Sequence, residues 1–198
     1  ATHALPRSPS LLRTARARAR AGYNVCITRP SSSTLRYPSP LARATTCYKA
    51  LMMMSPGHVL VVDGAGDLTN AIVGELLMLY ARGRGCVGFV IDGSARDSGA
   101  FLRADFPCYV RGVSHRGPYK TGPGAINVPI SVGGQVVQPG DILVGDEDGV
   151  VSFPPTIVDA LIAAARRSAS EERNIKAEID NGRVEQSWIQ RTLDPHGL

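Results

Sequence analysis

The stretch that decides the fold is Val59-Leu60-Val61-Val62-Asp63-Gly64-Ala65-Gly66-Asp67, continued by Ala71-Ile72-Val73-Gly74-Glu75-Leu76-Leu77 and by Cys86-Val87-Gly88-Phe89-Val90-Ile91-Asp92-Gly93. Residues 59–62 are aliphatic and read as a strand closed by a turn cluster at 63–67. Thr69 or Asn70 can cap the helix expected over 71–82, where Ile72, Val73, Leu76, Leu77, Leu79 and Tyr80 leave little polar surface. A helix apolar on most sides is a buried one. Gly83-Arg84-Gly85 stops it, and 86–91 reads as a second buried strand. Strand, helix and strand in about 35 residues make a βαβ unit, so part of the sheet is expected to be parallel.

Outward from that unit, 94–102 reads as a short helix and 109–110 as a short strand. Glycines then punctuate the apolar runs 128–130, 136–137, 142–144 and 150–151, which is hairpin spacing, with Asp148-Gly149 a turn signal. Pro155-Thr156 opens a long helix to about Asp180, with Val158, Leu161, Ile162 and Ala165 on one face and Asn181-Gly182 at its end. Trp188, Ile189 and Leu193 in the tail are anchors suited to a neighbouring subunit. The chain of 198 residues is long enough for one domain with a sizeable core. We expect a single α/β domain over 1–198: a basic arm at 1–48, a core at 49–155, and a C-terminal helix and tail at 156–198.

Charge is unevenly placed. Residues 1–62 hold nine basic side chains and no acid, and the remainder holds 13 basic and 17 acidic ones. An arginine-rich, acid-free arm has the composition of a transit peptide or of a segment that touches nucleic acid or a membrane surface. An oligomer contact and a misassigned start are the alternatives. No G-x-x-x-x-G-K-[ST] loop is present, which argues against nucleotide binding. No apolar run approaches the roughly 18 residues that span a bilayer, so no membrane partner is expected. The four cysteines have no C-x-x-C pairing, and free thiols without a framework suggest a reducing, cytoplasmic setting.

Chemistry concentrates between Gly74 and Asp97. Gly74 opens a helix whose next N–H groups, those of Leu76 and Leu77, can hold a carboxylate. Arg96 offers a planar fork matching a carboxylate or a 2-oxo acid. Asp97 follows a strand end, a common place for ligand groups in open α/β sheets. A single carboxylate with open positions suits Mg2+ or Mn2+. The competing reading is that Arg96 and Asp97 cap the following helix. Glu75 reads equally as a first-turn acid favoured by the helix dipole and as an outer partner of a metal through water. Asp141, Asp146, Glu147 and Asp148 lack the ligand spacing of a calcium loop and read as a hairpin turn. Arg111, Arg116, Lys120 and the run 117–122 could line an acid or phosphate site.

Several ordered blocks then stand out together: 56–63, 70–77, 91–97, Phe106-Pro107, Arg111-Gly112, 116–118, 127–130, 139–141 and 145–151. In these the chain resembles the RraA-like family, which includes 4-hydroxy-4-methyl-2-oxoglutarate aldolases and the regulator of ribonuclease E activity A. The resemblance is strong over 49 to about 155 and loose in the C-terminal helix. It implies a swivelling β/β/α domain with mixed sheets, assembled as a trimer or a stacked pair of trimers, with active sites between subunits. It also implies a metal-dependent (class II) pyruvate aldolase that often decarboxylates oxaloacetate.

Carried over by position, the resemblance makes Asp97 the metal ligand and Arg96 the group touching the 2-oxo acid. Glu75 becomes an acid held through water, the Leu76 and Leu77 amides become the cradle of the pyruvate carboxylate, and Gly74 stands with them among the substrate-binding positions. An acid from a neighbour's C-terminal helix completes the pattern, with Glu171 and Glu172 the candidates. Ala100 stands where many aldolase members carry an acid, and residues 1–48 depart from the family's pattern. The alternative is a non-catalytic regulator that binds a ribonuclease. That branch does not keep the aspartate after its arginine, and this chain does.

Overall fold

The computed structural model describes residues 12–13, 20–28, 44–118, 124–183 and 186–196. The backbone divides into two compact units, Ala1–Pro155 and Thr156–Leu198. In chain order the first contains β1 (Leu12–Arg13), β2 (Arg20–Thr28), α1 (Ala44–Met52), β3 (His58–Val73), α2 (Glu75–Gly83), β4 (Gly88–Ala95), α3 (Ser98–Arg103) and β5 (Cys108–Val113). It continues through β6 (Ala125–Ile126), β7 (Ile130–Val132), β8 (Gln135–Val137), β9 (Ile142–Gly145) and β10 (Val150–Phe153). The second unit holds α4 (Val158–Asp180), entered through a short 3-10 turn, and α5 (Ser187–Leu193).

The main sheet runs in the order β1-β5-β4-β3-β2-β9-β10, with β6 also on β2. Strands β2 to β5 are mutually parallel, whereas β1, β6, β9 and β10 pair antiparallel. The expected parallel βαβ unit is β3-α2-β4, and the expected mixed α/β sheet and long C-terminal helix are present. A parallel sheet is covered on both faces, which is why 59–62 is apolar without alternation. Leu60 and Val62 enter one core with Leu51 of α1, Met78 and Ala81 of α2, and Phe101 of α3. Val59 and Val61 enter another with Ile130, Val132, Val137 and Leu143. Phe89 meets Phe106 edge-on with ring centroids 5.0 Å apart, filling the floor beneath α3.

Four expectations need correction. Residues 63–67 do not close the strand. β3 continues to Val73, with register shifts against β4 between the pairs Asp63–Asp92, Asp67–Gly93, Ala71–Ser94 and Val73–Ala95. The turn chemistry is present, but it builds a bulge: Asp63 accepts the Ala65 N–H at 2.9 Å, Asp67 accepts the Thr69 N–H at 2.7 Å, and Ala65 and Gly66 have positive φ. The helix therefore starts at Glu75, four residues later than expected, and neither Thr69 nor Asn70 caps it. Likewise β4 runs on to Ala95 and the next helix begins only at Ser98. Residues 20–28, expected in a basic arm apart from the core, form a strand between β3 and β9.

The hairpins fall where the glycine spacing placed them. β7 and β8 turn at Gly133-Gly134, both with positive φ. β9 and β10 turn at 146–149, where Asp146 Oδ1 accepts the Asp148 N–H at 2.9 Å. Cys47, Cys86 and Cys108 are buried thiols. Among the described residues no helix is long and apolar enough to cross a membrane.

Candidate functional site

Val73 ends β3, Gly74 follows it, and Ala95 ends β4 directly alongside through its pairing with Val73. The Arg96 N–H donates to the Val73 carbonyl at 3.0 Å, which draws the residues after both strand ends together. Parallel register thus places the first turn of α2 beside Arg96 and Asp97, although 22 positions separate Glu75 from Asp97. This is the carboxyl end of the strands, where open α/β sheets bind ligands.

Asp97 sits in the left-handed region at φ 56°, a conformation that Asp tolerates better than most residues. It does not cap α3 with its side chain. Instead its Oδ2 accepts the Glu75 N–H at 3.0 Å, so the carboxylate caps α2, across the strand pair. The Arg96 Nε lies 3.5 Å from the same oxygen, and both side chains are about two-fifths exposed. Gly74 allows this convergence: a Cβ there would lie 2.7 Å from Asp97 Oδ2 and 2.9 Å from Arg96 Cγ.

The Met78 N–H closes the first helical turn on the Gly74 carbonyl at 3.1 Å. The N–H groups of Leu76 and Leu77 have no acceptor among the described residues. Both residues line a cleft of about 360 Å³ together with Gly74, Arg96, Tyr48 and Pro118. Two donor amides at a helix N-terminus and a guanidinium on one small cleft have the chemistry to hold an anion, with the Asp97 carboxylate beside the guanidinium. Glu75 is exposed beside it.

Among the described residues no group of three His, Cys, Asp or Glu side chains is arranged to cage a metal. The donor set at Asp97 is one carboxylate that keeps Oδ1 for an ion, next to the acid Glu75. That fits Mg2+ or Mn2+, which bind through one or two carboxylates, keep water and accept oxygens from a substrate.

The other candidates have surroundings of their own. Glu171 and Glu172 lie exposed on α4, in the second unit, with Glu172 paired to Lys176 at 3.7 Å. Arg111 is already engaged at its Nε, which is bonded to the buried Asp92, whose other oxygen accepts the Gly133 N–H at 3.1 Å. Arg116 is exposed, and Lys120 lies outside the described residues. Ala100 is buried in α3, facing the core rather than the cleft. Sequence reasoning missed Tyr48 and Pro118 as walls. Tyr48 sits nearly 50 positions before Arg96, with no motif to link them, whereas Pro118 lay inside a run already suspected of lining an acid site.

With that geometry in view, the sequence model of the RraA-like family, described as Aldolase/RraA, matches residues 17–152. The chain belongs to this family. The match starts at 17, so the departure from the family pattern is confined to fewer residues than the first 48. A protein of Halalkalibacterium halodurans, provisionally named 4-hydroxy-4-methyl-2-oxoglutarate aldolase, is 38% identical over 148 residues, covering 74% of this chain and 70% of its own. The solved structure of the RNA-processing inhibitor RraA from Thermus thermophilis superposes with a TM-score of 0.64 at 27% identity, over 77% of this chain and 85% of that one. RraAS2 of Streptomyces coelicolor shares the fold, with a TM-score of 0.71 at 21% identity over 86% and 84% of the two chains.

Proposed function

We propose that this RraA-like protein is a divalent-metal-dependent aldolase that cleaves 2-oxo acids of the 4-hydroxy-4-methyl-2-oxoglutarate type to pyruvate, and that it also decarboxylates oxaloacetate. The observation carrying this reading is that Arg96, Leu76 and Leu77 line one cleft while the Asp97 carboxylate, 3.5 Å from the Arg96 Nε, accepts the Glu75 N–H beside it. The similarity to the Halalkalibacterium protein supports the same reaction class.

The Leu76 and Leu77 N–H groups hold the substrate's C1 carboxylate, so the 2-oxo oxygen points toward Arg96 and Asp97. Asp97, with Glu75 through water, would hold Mg2+ or Mn2+, which when bound supplies Lewis-acid polarisation of the 2-oxo group. Glu75 positions the water that takes the proton from the C4 hydroxyl. The C3–C4 bond then breaks, its electron pair moves toward C2, and negative charge gathers on the 2-oxo oxygen, where Arg96 stabilises it. The departing half leaves as a carbonyl compound, and C3 takes a proton to complete pyruvate. For 4-hydroxy-4-methyl-2-oxoglutarate both halves are pyruvate. The working protein is a trimer or stacked pair of trimers in which Glu171 or Glu172 of a neighbour reaches this cleft.

The test is pyruvate release from 4-hydroxy-4-methyl-2-oxoglutarate and from oxaloacetate, with Mg2+ and after EDTA. We expect turnover that EDTA abolishes and that Asp97→Ala lowers by at least about a thousandfold, the scale of losing a charge-stabilising group. Full activity in Asp97→Ala would sink the proposal. The likeness to the RNA-processing inhibitor favours a second reading, a non-catalytic partner of a ribonuclease. Capture of a ribonuclease by a protein without metal-dependent turnover would select it.

A further inference from the structure

We propose that Asn70 is a positioning residue for this chemistry: it ties the 114–117 segment to the end of β3 so that the backbone of Gly117 holds the tip of the Arg96 guanidinium in place. The inference rests on the role given to Arg96 above. Among the described residues Arg96 has one ion pair, to Asp97 at 3.5 Å, too long to be a hydrogen bond that fixes direction. Two glycines lie close against the side chain. A Cβ on Gly74 would lie 3.0 Å from Arg96 Nε, and one on Gly117 would lie 3.2 Å from its Nη1. Gly74 thus lies against the stem and Gly117 against the tip.

Gly74 is held by the strand end and the helix that follow from its neighbours. Gly117 is in no strand or helix and needs a tether. The Asn70 Nδ2 donates to the Gly117 carbonyl at 2.6 Å. The Ala71 N–H donates to the Arg116 carbonyl at 2.9 Å, and the Ser114 Oγ to the Thr69 carbonyl at 2.8 Å. Asn70 is itself fixed, because the fully buried Ser94 donates its Oγ to the Asn70 carbonyl at 3.0 Å. Of these bonds only the Asn70 amide reaches the residue that touches Arg96. The register shift that carries β3 past Asp67 is what brings Asn70 to this place. The bulge in β3 therefore has a consequence at the cleft.

The test compares Asn70→Ala and Asn70→Asp with wild type. The second keeps the shape and replaces the donor with an acceptor. Pyruvate release should fall about tenfold in kcat/KM in both, the scale of a slightly misplaced group, with the rise in KM for the 2-oxo acid dominating. In an Arg96→Lys background Asn70→Ala should add little, because both act through one group. Independently of turnover, phenylglyoxal should modify Arg96 severalfold faster in Asn70→Ala, read by peptide mass mapping, with the melting temperature within a few degrees of wild type. Should Asn70→Ala not fold, Asn70→Asp removes the same donor and is read in the same way. Unchanged kcat/KM with unchanged Arg96 modification, or losses that add in full to Arg96→Lys, overturns the assignment. If wild type releases no pyruvate, the aldolase reading fails, and the phenylglyoxal comparison alone decides whether Asn70 holds Arg96.

Discussion

At Gly74 the chain needs no unusual backbone, since φ is −155° and ψ is −169°, values open to any residue. What the position needs is room, because a methyl group there would meet Asp97 Oδ2 at 2.7 Å and the Arg96 stem at 2.9 Å. Gly74→Ala should therefore push Asp97 off the Glu75 N–H and lower pyruvate release at least about tenfold, at an overpacking cost of roughly 1–3 kcal/mol. Parallel activity and thermal-melt measurements check this, and undiminished turnover would mean that the cleft absorbs the methyl group. The buried thiols give a second residue-scale prediction. Burial pushes Cys47 up from 9.0 to about 12 and Cys86 from 9.0 to about 11, with backbone hydrogen bonds pulling weakly the other way. Below pH 9 these thiols are protonated in folded and unfolded chains alike and add no pH dependence. Above it the unfolded chain loses protons that the folded chain keeps, so their contribution to stability is lost as pH rises through 11 and 12. At pH 8, iodoacetamide should label both cysteines at least about a hundredfold more slowly in the native protein than in urea, read by peptide mapping. Equal native and denatured rates would show that the core around both thiols opens freely.

The ion pair of Asp92 and Arg111 binds three elements at once: β4, β5 and, through the Gly133 N–H, the turn between β7 and β8. With side chains 8% and 19% exposed, the pair is buried enough that removing one partner leaves an uncompensated charge. Arg111→Ala should cost roughly 3–5 kcal/mol in urea unfolding, and pairing Arg111→Met with Asp92→Leu should recover most of it. A cost below about 1 kcal/mol for Arg111→Ala would show that water already reaches the carboxylate. The same elements show what could be read in advance. Strands β3 and β4 were legible because burial on both faces leaves uninterrupted apolar runs, and α2 because its apolar residues recur at helical spacing. Its start was not, because Asp63-Gly64-Ala65-Gly66-Asp67 carries turn chemistry that the fold spends on a bulge, and pairing with β4 then overrides the helical signal of Ala71, Ile72 and Val73. β2 was hidden in another way. Tyr23, Val25 and Ile27 alternate with Gly22, Asn24 and Cys26 as a strand should, but arginine and serine on both sides drew the reading toward a charged arm. Of the candidate site, Arg96, Asp97 and the α2 amides could be named from local signals. That Asp97 caps α2 rather than α3 could not, because the contact spans 22 positions and depends on parallel register.

For the assembled protein, the resemblance that names Glu171 and Glu172 also places the acid they would supply in another copy's cleft. Both lie exposed on α4, in the unit that does not contain Asp97. If one copy supplies Asp97 and its neighbour the acid, two differently crippled chains should repair each other. Glu171→Gln and Glu172→Gln measured separately first identify the contributing residue by its loss of kcat. That variant is then co-expressed with Asp97→Ala, each carrying its own tag, and the mixed species is isolated by both tags. Light scattering should give three, or six, times the chain mass of 21.0 kDa. Once both tags have removed the unmixed rings, roughly a third of the shared sites in a trimer, and about a quarter in a stacked pair of trimers, draw an intact residue from each side. Activity should return to about that fraction of wild type although both parents are inactive. A mixed species that stays as inactive as its parents would place the whole site within one chain. Neither glutamate having any effect would remove the C-terminal helix from the chemistry and leave the cleft of Arg96, Asp97 and the α2 amides to act alone.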